Sequence, residues 1–112
     1  MGTFKPEFVI GVVLVSERSD DLDRFVAEHP RLFTKSGELV NGYINYVMFW
    51  DGSKEGWDES NEADRLRETF IELLKKIEYT RIYHIEHHEG VAPSMSWMYV
   101  FKEEEEWKEW LS

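Results

Sequence analysis

The chain has no cysteine among its 112 residues. Disulfides, thiolate nucleophiles and cysteine-ligated zinc or iron–sulfur centres are thereby excluded together, and the fold has to hold by packing alone. Bases are scarce as well: 13 Lys and Arg stand against 23 Asp and Glu, a net charge of -10. Phosphate backbones and anionic lipid repel such a surface at long range, so neither direct nucleic-acid binding nor a membrane partner is expected, whereas a basic protein would be drawn to it. The longest apolar run, residues 8–15, is too short to span a bilayer, and no basic region precedes a long apolar stretch near the start. A cytoplasmic protein is the expectation. A Gly-rich phosphate loop, a nucleophile elbow and a two-histidine helix motif are all missing, and no cofactor is expected.

What remains is ample material for a core, since 42% of the residues are hydrophobic and 15% aromatic. No linker or repeat divides the chain, which reads as a single α+β domain over residues 1–112. Residues 8–15 (Phe-Val-Ile-Gly-Val-Val-Leu-Val) are apolar without alternation, the pattern of a central strand covered on both faces. Ser19 or Asp20 caps a short helix with Leu22, Phe25 and Val26 inward, and Pro30 stops it near His29. Residues 32–40 read as loop or short edge strand leading to an Asn41-Gly42 hairpin turn and a second strand over 43–50. Ala63, Leu66, Phe70, Leu73 and Ile77 recur at helical spacing after a cap at Ser60 or Asn61. Two more strands, 80–88 and 95–101, form a hairpin. The order predicts a two-layer sandwich with a mostly antiparallel sheet, ferredoxin-like or a relative, plus a short C-terminal helix.

That last helix is expected over 102–112, where Trp107, Trp110 and Leu111 share one apolar stripe after the acidic run 103–106. An eleven-residue helix is not stable alone in water, so the stripe must dock on its own sheet or on a partner. A second candidate contact is the loop around Trp57, Asp58 and Glu59, where an aromatic anchor adjoins carboxylates. Its competing reading is structural, with Asp51-Gly52 a turn, Asp58 to Asn61 capping residues and Trp57 tucked beneath the loop as a staple.

For chemistry the best cluster is His84, Glu86 and His88, which share one face of a strand. Extended spacing places the first and last roughly 13 Å apart, so one ion cannot hold all three directly, and two of them with a residue from another strand is the realistic version. No tightly bound metal is expected there. Tyr43, Tyr46, Phe49 and Tyr99 suggest cross-strand packing rather than base stacking, given the missing positive charge.

These features favour a small acidic protein-binding module, such as an inhibitor, adaptor or decoy, acting through Trp57, Asp58, Glu59, Trp107, Trp110 and Leu111. The alternatives are a small metal-dependent or acid/base hydrolase using His84, Glu86 and His88, and a structural homodimer. The homodimer has its own argument: the 8–15 run asks for cover on both sheet faces, and two helices plus a short terminal one do not supply it.

Overall fold

The computed structural model of the protein describes residues 2–101 and 107–111, with 109–111 described in their backbone only. Strand β1 (Glu7–Leu14) leads into helix α1 (Asp20–Glu28), the short strand β2 (Phe33–Lys35) and β3 (Tyr43–Met48); α2 (Asp58–Lys75), β4 (Arg81–Glu86), β5 (Ser94–Tyr99) and β6 (Lys108–Leu111) follow. The strands form a single six-stranded sheet in the order β2-β3-β1-β4-β5-β6, antiparallel at every pairing. The class is α+β. No described helix is long and apolar enough to cross a membrane.

Both helices lie on one side of the sheet. In β1 the residues toward them are Glu7, Val9, Gly11 and Val13, all buried, while Phe8, Ile10, Val12 and Leu14 point the other way and are half-buried. The helical layer sits close because Gly11 has no side chain: a β-carbon there would collide with the δ-carbons of Leu74 on α2. Phe70, fully buried, packs edge-on against Phe33 at 5.0 Å between ring centres, and Phe25 of α1 meets the same ring at 5.0 Å. The stripe expected on α2 thus shares its core with Val9 and Val13 of β1, Phe33 of β2 and Ile44, Tyr46 and Met48 of β3. Tyr46, on β3, passes its hydroxyl to Asp23 on α1, which also holds Arg18 and Lys35. That hydrogen bond fastens the helical layer to the sheet from inside. Burial raises the Tyr46 phenol above its ordinary value, and the Asp23 contact raises it further.

Several local expectations are met in detail. Ser19 caps α1, its Oγ accepting from the Leu22 amide at 3.3 Å, and Asn41 and Gly42 both take positive φ, as a tight turn before β3 requires. Asp51 makes a turn by accepting from both the amide and the hydroxyl of Ser53. Two expectations are corrected. Helix α2 starts at Asp58 with Trp57 at the N-cap, earlier than a Ser60 or Asn61 cap would allow. The C-terminal helix is replaced, in its described part, by β6, which pairs with β5 from Ser94↔Leu111 to Trp97↔Lys108. An open sheet edge offers a row of backbone partners that an isolated short helix lacks, and tryptophan suits a strand. The acidic run 103–106 lies outside the described residues.

Candidate functional site

Cross-strand register brings two carboxylates face to face. Glu7 on β1 is the direct partner of Glu86 on β4, and both lie toward the helices. Like charges opposite one another destabilise a sheet unless positive charge joins them. Here it does: Lys5 Nζ lies 3.2 Å from Glu7 Oε1, Arg67 Nε 3.4 Å from Glu7 Oε2, and His84 Nε2 2.8 Å from the same Oε2 and 3.3 Å from Glu86 Oε1. His88 Nε2 completes the group at 3.6 Å from Glu86 Oε2.

Glu7 is the anchor of this cluster, only 5% exposed. Burial alone would push its carboxyl up, but the hydrogen bond with His84 and the charges of Arg67 and Lys5 outweigh burial and hold it down to about 2. Arg67, itself buried, reaches outward to Asp64 at 2.7 Å, while its Nε has no hydrogen-bond partner among the described residues. Beyond His84 a groove of about 460 Å³ opens between α2 and the β6 side of the sheet, lined by Glu68, Ile71, Glu72, Lys75, His84 and Trp107. Trp107 is half-buried there, its ring centre 6.4 Å from that of His84.

Of the strand cluster read from the sequence, His84 and Glu86 thus come together, and because β4 ends at Glu86 the chain bends and returns His88 to the same carboxylate. Extended spacing does not apply to it. Glu7 and Arg67, the residues that complete the cluster, were not singled out in the sequence; only the register of β1 against β4 and a helix above them reveals the pairing. Ser96 is the cross-strand partner of His84, whose Nε2 contacts the Glu7 and Glu86 carboxylates.

The other candidate residues are dispersed. Trp57 is 45% exposed at the start of α2 and is not tucked under its loop; Asp58 and Glu59 line a shallow groove of about 380 Å³ with Asp51, Glu62, Arg31 and Arg65. About 20 Å of helix separates Trp57 from Ile71, which lines the same groove as Trp107. The two halves of the expected binding surface therefore do not converge. The side chains of Trp110 and Leu111 lie outside what is described.

A larger surface emerges on the opposite side of the sheet, where no described helix packs. Phe8, Ile10, Val12 and Leu14 are flanked there by Tyr43, Asn45 and Val47 on β3 and by Arg81, Tyr83 and Ile85 on β4, with Met95, Trp97 and Tyr99 beyond on β5. All are half-buried. Not one is a carboxylate, in a chain that carries 23. Its lone arginine in this array, Arg81, lies flat between aromatics, 5.3 Å over the Tyr99 ring and 6.0 Å from that of Tyr43. By contrast, α2 turns Asp58, Glu59, Glu62, Asp64, Glu68 and Glu72 to solvent. No protein-family model, curated protein or solved structure matches the chain.

Proposed function

We propose that this protein is a non-enzymatic protein-binding module that self-associates through the helix-free face of its sheet and presents its acidic helical layer to a basic partner. The observation that carries the reading is the segregation of charge among the described residues: a wide apolar and aromatic face on which none of them places a carboxylate backs a helical layer crowded with them. Two chains of charge -10 repel each other at long range, so they can meet closely only where negative charge is absent. This face satisfies that condition. Six strands at ~4.8 Å spacing and ~3.4 Å per residue span on the order of 500 Å² of plane. A face-to-face pair then hides on the order of 1,000 Å² before side-chain relief is counted, where specific interfaces begin. Tyr, Trp and a ring-stacked Arg are the residue types that anchor such contacts.

The strand order β2-β3-β1-β4, wholly antiparallel, with α1 joining β1 to β2 and α2 joining β3 to β4, supports reading the first four strands as a ferredoxin-like unit extended by β5 and β6. On that reading the open face belongs to the basic architecture, and β5 and β6 broaden it. Fold analogy adds nothing about chemistry.

Tyr83, central on this face between Ile10 and Trp97, supplies the test. Light scattering on Tyr83→Glu should report a monomer at concentrations where the unaltered chain is a dimer, while Asp58→Lys on the helical side leaves the dimer intact. Loss of the dimer in Asp58→Lys with retention in Tyr83→Glu would place the contact on the wrong layer. Capture of single-stranded nucleic acid by the unaltered chain, abolished by Tyr83→Glu, would replace self-association with base stacking.

A further inference from the structure

We propose that Glu7, His84 and Glu86 hold one zinc ion at the end of the sheet. One donor atom from each of the first three lies within 4.8 Å of the others. Tetrahedral zinc with ligands at about 2.0–2.1 Å separates neighbouring donors by about 3.3 Å. The contacts of His84 Nε2 with Glu7 and Glu86, 2.8 and 3.3 Å, lie at or somewhat below that value. A single imidazole nitrogen held between two carboxylates is either a shared proton donor or one corner of a cation site.

The surroundings of Glu86 favour the cation. Among the described residues no lysine or arginine reaches it within 4 Å, Lys5 acting on it only from further off, and its two oxygens face two imidazoles instead. Imidazole and carboxylate together suit zinc and disfavour calcium or magnesium, which take oxygen donors. The charges already present do not forbid a dication: Glu7, Glu86 and Asp64 exceed Lys5 and Arg67 by one negative charge when His84 is neutral. Lys5 and Arg67 act from outside the donor set, fixing the buried Glu7 carboxylate in place as supporting groups commonly do around a metal. All three ligands belong to one chain, so the site does not depend on self-association.

Zinc competition with a chromophoric chelator, on the full chain freed of metal, tests this. The expected result is one zinc per chain, with affinity at least tenfold weaker in both His84→Ala and Glu86→Gln and unchanged in His87→Ala, whose exposed side chain lies outside the cluster. Zinc should also raise the melting temperature of the unaltered chain and not that of Glu86→Gln. Should His84→Ala fail to fold by circular dichroism, Glu86→Gln decides, since it preserves shape and removes charge. No uptake by the unaltered chain, or uptake that survives Glu86→Gln undiminished, overturns the site and leaves His84 as a proton donor shared by two carboxylates.

Discussion

Glu7 and Glu86 stand opposite each other on neighbouring strands, and His84 Nε2 lies between them, 2.8 Å from one carboxylate and 3.3 Å from the other. The pair explains why a buried arginine and a lysine gather at this end of the sheet: without them two like charges would face each other under a helix.

That arrangement makes stability depend on acid. The folded Glu7 carboxyl, held at about 2, lies below its ordinary value of 4.5, so the folded state binds its proton less readily than the unfolded chain. Its contribution is therefore complete above about pH 4.5 and is lost as pH falls toward 2. For this buried group the difference is on the order of 3 kcal/mol. Urea titrations in chelator should show Glu7→Gln less stable than the unaltered chain near neutral pH, with the gap narrowing through that window. Parallel pH profiles would contradict the assignment.

Gly11 tests the closeness of the helical layer. Because an added β-carbon would meet the δ-carbons of Leu74, Gly11→Ala should cost about 1–3 kcal/mol by overpacking. The double variant with Leu74→Ala should lose less than the two single changes combined, because the smaller side chain admits the methyl. Strict additivity in denaturant midpoints would show that the two residues do not touch.

The Tyr46 hydroxyl, donated to Asp23 within the interior, predicts a third result. Tyr46→Phe leaves the ring packed and removes a bond to a charged acceptor, an expected loss of about 1.5–3 kcal/mol. Asp23 keeps Arg18 and Lys35 at 3.2 and 3.1 Å, so the carboxylate is not stranded. An unchanged thermal midpoint would remove this bond from the account of how α1 is held.

The sequence made the periodic elements legible. Phe70 on α2, Leu22 on α1 and the apolar β1 run announce themselves by spacing, and Ser19, Asn41-Gly42 and Asp51-Gly52 mark boundaries by local chemistry. The C-terminal segment misled because Trp107 and Trp110 satisfy helical spacing, while pairing along the β5 edge is a long-range event that no local pattern encodes. The charge cluster was half visible for the same reason. His84 and Glu86 are two apart on one strand, but Glu7 joins them through register alone, 77 residues away from His84. Residues 8–15 read as a strand covered on both faces, whereas among the described residues helices pack on one face only.

Sedimentation equilibrium of the unaltered chain, from micromolar to millimolar concentration, tests the central claim most directly. The account predicts a weight-average mass approaching twice 13.4 kDa as concentration rises, with negligible growth beyond it, as a closed pair of sheet faces requires. A mass that stays at 13.4 kDa throughout would contradict it, and the uncovered face would then have to be explained without a second copy of the chain.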